Sequence, residues 1–143
     1  MTKRDSLLFV YGTLRAFVDI PMARRLRGAG RHLGVARAPG RLYDLGPYPG
    51  LAAARRRGDW VVGDLYELAA PRALLRMLDR YEAGAAGRER PRFVRVRTAV
   101  ILANGGRRSA WIYQYRLPAP PRLRVRCGDY ERHLEGAYTR ASG

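Results

Sequence analysis

The first apolar run, Leu7 to Val10 (LLFV), places hydrophobic residues at odd and even positions alike. A strand from Ser6 to Tyr11 that is apolar on both faces belongs inside a sheet, not at its edge. The chain then turns sharply at Gly12-Thr13. Pro21 to Leu26 suits a short helix, since a first turn tolerates proline, whose absent N–H would have no partner there. Leu33 to Ala36 and Arg41 to Leu45 read as strands parted by Pro39-Gly40, and Gly46 to Gly50 (GPYPG) as a turn-rich loop. Trp60 to Leu68 (WVVGDLYEL) is the clearest strand, with Gly63 marking a bulge or bend. Pro71 to Glu82 has the clearest helical period and is stopped by Gly84. Phe93 to Leu102 alternates β-branched residues with arginine, as a half-buried strand does. Asn104-Gly105-Gly106 turns it into a partner from Ser109 to Arg116. Pro118 to Pro121 breaks the pattern, and Asp129 to Ala137 has room for a last helical turn or two.

These segments amount to about six strands and one main helix. Many bent strands in a short chain favour a small mixed β-barrel closed by the helix. The class is α+β, because strands and helices do not alternate. No repeat or linker divides the chain, so residues 1–143 read as a single domain.

Charge adds a question about partners. Lys and Arg number 28 against 12 Asp and Glu, a net charge of +16, and Lys3 is the only lysine. A basic face of that kind binds polyanions by releasing their counterions. Here the arginines are scattered, with Arg55-Arg56-Arg57 the only run of three, and no nucleic-acid motif accompanies them. Nucleic acid is therefore not the expected main partner. Cys127 is the only cysteine, which excludes an intrachain disulfide. The first apolar run is too short for a signal peptide, and no run has the length of a membrane span. The cytoplasm is the expected location.

Two features carry candidate chemistry. In PRALLRMLDRYE, turning by about 100° per residue, Leu74, Leu78 and Glu82 fall on one stripe, flanked by Leu75 and Tyr81. Arg72, Arg76, Asp79 and Arg80 take the other face. Glu82 therefore sits with the leucines. Burial among them, and the negative helix end near Gly84, favour the neutral acid and raise its pKa, as a general base working near neutral pH requires. The alternative is a C-terminal glutamate that pivots outward to Arg88 or Arg90. The second feature is the turn after the first strand. Successive backbone N–H groups of Gly12, Thr13 and Leu14 can point into one concavity and hold an anion, with the Thr13 hydroxyl as a further donor. The alternative is an ordinary tight turn. Cys127 with His133 or His32 lacks the surroundings that activate a thiol, and two histidines are too few for a metal cluster. Tyr113 and Tyr115 share a strand face and read as barrel packing ahead of ligand contact. Tyr11 has the better claim to the pocket.

In order along the chain, FVYGTLR, YDLGPYPGL, GDLYEL and LDRYE resemble the gamma-glutamylcyclotransferase-like family, above all its gamma-glutamylamine cyclotransferase branch. The likeness continues through PRFVRVRTAV and AWIYQY to CGDY, nearly the whole chain. It implies a small barrel with one helix closing a pocket beside the YGTL loop. Tyr11, Gly12, Thr13 and Leu14 would bind the gamma-glutamyl moiety and Glu82 would be the catalytic base. The implied enzyme cyclises a gamma-glutamyl amine or related conjugate, releasing 5-oxoproline and the free amine, with no metal or organic cofactor. Three positions depart from the family's usual pattern: Ala83 in place of glycine, Phe93 in place of tyrosine, and Cys127-Gly128-Asp129-Tyr130 in place of a serine- and tryptophan-containing stretch. A reading of another class is a non-catalytic barrel that binds an anionic partner such as nucleic acid through its arginines.

Overall fold

A computed structural model describes residues 6–83 and 92–142. Seven strands form one sheet: β1 (Leu7–Val10), β2 (Gly30–Pro39), β3 (Arg41–Asp44), β4 (Pro49–Ala52), β5 (Trp60–Leu68), β6 (Phe93–Leu102) and β7 (Arg107–Tyr115). Among the described residues three α-helices accompany them, α1 (Pro21–Ala29), α2 (Pro71–Ala83) and α3 (Tyr130–Ser142), with a 3-10 turn at Pro121–Leu123. The sheet order is β1-β5-β2-β6-β7-β4-β3, and β1 also pairs with β7. That extra pairing closes a five-stranded barrel from β1, β5, β2, β6 and β7, with β4 and β3 as an extension. β1 runs antiparallel to β5 and parallel to β7, so the barrel is mixed. The α+β barrel expected from the sequence is the fold. It has one strand more than expected among the described residues. The short helix expected from Pro21 and the last helical stretch expected from Asp129 are α1 and α3, both longer than read. Among the described residues no helix is long and apolar enough to cross a membrane.

The double-sided apolar character of β1 now has its cause. Leu7 and Phe9 join the cluster enclosed by the strands, with Leu65, Val100 and Ile112. Leu8 and Val10 point the other way, into a second cluster with Leu26 of α1 and Leu74, Leu75 and Leu78 of α2. Each strand face has its own core, and burying both is what a strand without polar positions needs.

The expected bulge at Gly63 is not there. Gly63 pairs in register with Ala36, and the irregularity falls in the neighbouring strand, between His32 and Gly34. Gly63 meets a different demand: a β-carbon on it would collide with the carbonyl oxygen of Val10 and the ring of Phe9. The turn-rich stretch 46–50 runs into β4, which pairs with β3 and bridges to β7. Phe93–Leu102 and its hairpin to β7 match the reading, as does Trp60–Leu68. Gly84, the expected helix stop, lies outside the described residues.

Candidate active site

β1 delivers the chain to one end of the barrel, and the next residues line a cleft. Its walls are Phe9 to Leu14, Tyr48 and Pro49, Glu82, Phe93, and Tyr113. The structure thus brings Tyr11, Gly12, Thr13, Leu14 and Glu82 to the lining of one concavity.

The loop is a right-handed turn. The N–H of Arg15 donates to the Gly12 carbonyl at 3.1 Å, and no residue in this stretch has a positive φ. In such a turn the first N–H groups have no acceptor within the turn. No backbone N–H of Gly12, Thr13 or Leu14 is hydrogen-bonded to a described residue. Three adjacent donors therefore lie at the edge of the cleft without an acceptor among the described residues. Glycine at position 12 has a steric cause: a β-carbon there would lie 2.6 Å from Cγ of Pro49. The close approach of Pro49 forms one wall of the cleft.

Glu82 comes from the last turn of α2, whose leucine stripe is buried against the barrel. It is half-buried, and no ion pair joins it to a described residue. Burial pushes its carboxyl up to about 7, into the range where a carboxylate both takes and returns a proton near neutrality. Arg88 and Arg90, the alternative partners, lie outside the described residues. One residue earlier, the Tyr81 hydroxyl meets the side chain of Thr13, so the helix end is tied to the loop. Tyr81 is otherwise exposed.

Two tyrosines shape the floor. The Tyr11 hydroxyl donates to the Tyr113 carbonyl at 2.6 Å and is reached by the backbone N–H of Leu51. Burial, then the nearby Glu82 carboxylate, pushes its pKa up. Tyr11 thus lines the cleft with its ring while its hydroxyl ties β4 to β7. Tyr113 also borders the cleft, and it is buried in the cluster between the barrel and α2, in keeping with barrel packing. Its hydroxyl donates to Asp79 Oδ1 at 2.7 Å. Asp79 in turn takes both nitrogens of an Arg95 fork, at 2.9 and 3.2 Å. Asp79 stands on the charged face of the helix, partly exposed, and Arg95 of β6 and Tyr113 of β7 rise to meet it there. Tyr115 packs on Phe93, centroids 5.3 Å apart.

Sequence reasoning missed a buried cluster behind the loop. Arg15 and Asp64 are 4% and 3% exposed. Arg15 Nε donates to Asp64 Oδ2 at 3.1 Å, and its Nη1 donates to Asp129 Oδ1 at 2.9 Å. The signal was present: Asp64 is a lone buried carboxylate in the apolar strand WVVGDLYEL. The remaining candidates are structural in their contacts. Cys127 is exposed, and among the described residues its thiol meets the Asp129 carbonyl, at 3.5 Å. His133 Nε2 lies 2.7 Å from Asp44 Oδ2, and its ring stacks on Tyr130. Among the described residues no three His, Cys, Asp or Glu side chains gather as a metal site.

A family model described as gamma-glutamyl cyclotransferase, AIG2-like matches residues 8–132. The comparison with curated proteins gave no match. Among solved structures, YkqA from Bacillus subtilis superposes with a TM-score of 0.71 at 23% identity over 94% of this chain; the chain spans only 42% of its length. An uncharacterized protein from Pyrococcus horikoshii gives 0.64 at 21% identity, covering 92% of this chain and 96% of that one. An AIG2-like protein from Mus musculus gives 0.61 at 22% identity, covering 82% and 81%. Likeness at these identities speaks for the fold.

Proposed function

The chain belongs to the gamma-glutamyl cyclotransferase, AIG2-like family, and from that premise we propose that it is a cytoplasmic, single-domain enzyme that cyclises gamma-glutamyl amines or related conjugates to 5-oxoproline and the free amine. The observation that carries the reading is the convergence of the Glu82 carboxyl and the free N–H groups of Gly12, Thr13 and Leu14 on one cleft. Neither element has another evident purpose there. A shielded carboxylate with no ion-pair partner among the described residues costs stability, and amides at a cleft edge that lack an acceptor among those residues are suited to receive one.

The chemistry then needs little beyond placement. The substrate's own α-amine is the nucleophile, so the enzyme chiefly folds the substrate into attack geometry. Glu82 as carboxylate takes a proton from the α-ammonium. The freed amine attacks the γ-carbonyl carbon, a C–N bond forms, and a five-membered ring closes with a negative oxygen. Loop N–H groups hold either that oxygen or the substrate's α-carboxylate. The ring carbonyl re-forms as the bond to the leaving nitrogen breaks. Glu82 gives its proton to that nitrogen and then takes the second proton from the ring nitrogen, which becomes the lactam N–H. This last proton leaves with the amine as its ammonium form. A side chain near pKa 7 serves these transfers.

The binding-module reading finds less support. Several arginines are committed within the fold: Arg95 and Arg97 flank the Trp111 ring at 4.3 and 4.4 Å, and Arg41 and Arg124 both pair with Asp59. The test is a screen of gamma-glutamyl amines and amino acids for release of 5-oxoproline. Turnover of at least one is expected. Failure across the panel, with salt-sensitive retention on nucleic acid instead, would reverse the assignment.

A further inference from the structure

The free donors of the loop are useful only if their directions are fixed, and the turn itself supplies one internal hydrogen bond. Its first stem is β1. Its second stem is held from outside the cleft, by Asp64 of β5. Asp64 Oδ2 accepts from two consecutive residues, the Nε of Arg15 at 3.1 Å and the backbone N–H of Ala16 at 2.9 Å. Its other oxygen lies 2.9 Å from Nε2 of His32. Arg15 reaches onward to Asp129, which also accepts the N–H of Glu131 at the start of α3. Strands β5 and β2 and the start of α3 are thus tied together around the residue directly after Leu14.

We propose that Asp64 is a positioning residue: through Arg15 and the Ala16 amide it holds the Gly12–Leu14 N–H groups aimed into the cleft. This rests on the loop being the substrate's anion site, as read above. A buried ion pair is a weak source of net stability, so its effect is sought in geometry. Two side-chain anchors and one backbone anchor on adjacent residues leave the second stem no freedom to swing. Pro49 blocks the Gly12 side, since the loop already touches it. The turn can hold only one orientation, which preorganises three donors before any ligand arrives. Asp64 touches no substrate; it acts through the loop.

The test uses the whole protein with Asp64→Asn, which keeps an acceptor for Ala16 but removes the charge facing Arg15. Arg15→Lys is the milder second variant should Asp64→Asn fold poorly. Backbone ¹⁵N relaxation reports the order of Gly12, Thr13 and Leu14 without ligand, and titration with 5-oxoproline reports affinity in the same samples. Both variants are expected to lose order at those three amides, and Asp64→Asn to bind 5-oxoproline about tenfold more weakly. Glu82→Gln is expected to leave the loop amides ordered. Wild-type order and wild-type affinity in folded variants, with only a lower melting temperature, would overturn the proposal. Should the amides loosen while the wild-type protein releases 5-oxoproline from no gamma-glutamyl compound, the positioning role stands and the reading of the reaction falls.

Discussion

Glu82 and Asp64 are carboxylates of similar chemistry on opposite sides of one loop, and the fold treats them in opposite ways. Asp64 is sunk in β5, where burial alone would raise its pKa. The Ala16 amide, His32 and Arg15 outweigh that and hold it below its ordinary value of 3.8. Glu82 meets burial with no such compensation and rises from 4.5 to about 7. The difference lies in partners, since both groups are shielded. A carboxylate surrounded by donors becomes a fixed strut. One left without them becomes a group that exchanges a proton at working pH. On the proposals above, the loop between them takes its shape from the first and works with the second.

Substitutions can break this contrast. The largest effect is expected from Glu82→Gln, which keeps the shape but cannot accept the ammonium proton. Turnover should fall by roughly two to four orders of magnitude, measured as 5-oxoproline release, while 5-oxoproline still binds. Undiminished cyclisation would remove Glu82 from the mechanism. Asp64→Ala should instead cost about 3 kcal/mol or more of folding stability, because it strands the Arg15 charge in the interior. Denaturant unfolding would measure it, and a loss below 1 kcal/mol would mean water reaches the pair.

The next effect sharpens the comparison through pH. In the folded chain Glu82 keeps its proton up to about pH 7, and its ordinary value is 4.5. Between those values the folded state binds more protons, so its contribution to stability falls as pH rises, by at most about 3 kcal/mol above pH 7. Glu82→Gln should abolish that slope and be the more stable protein at pH 8. Asp64 works in reverse: its contribution is present above 3.8 and is lost as pH falls through its depressed value. The smallest effect is on rate. Below about pH 7, kcat/KM should drop roughly tenfold per pH unit as Glu82 takes up its proton, and Asp64→Asn should leave that limb where it is.

Glu82 was legible because a helix repeats locally, so one side chain's face follows from its neighbours along the chain. Asp64 carried the same signal, a charge within an apolar strand, yet its meaning depends on Arg15, 49 positions away, and on the link from Arg15 to Asp129, 114 positions away. Nothing local pairs them. Strand β4 was hidden for a related reason. Pro49 and Gly50 signal a turn in isolation, but Gly50 is where Tyr115 packs close, and a side chain would meet the Tyr115 Cβ at 2.9 Å. The barrel itself was readable from strand count and bends. Its closing pair was not, because a parallel contact between β1 and β7 leaves no mark on either sequence.

That closing pair has a consequence for how the protein comes into being. Leu8 lies beside Trp111, and the Tyr11 hydroxyl reaches the Tyr113 carbonyl across 102 positions of chain. Contacts of such separation are made late and slowly, because a long loop must close before they repay its entropy. A chain emerging from synthesis can pair β1 with β5 and complete α2 well before β7 exists. It then has the loop and the glutamate but no floor between them. The cleft is thus a checkpoint on folding: only a chain that has seated its seventh strand has a pocket to offer a ligand, and a ligand that fills the pocket selects for finished barrels.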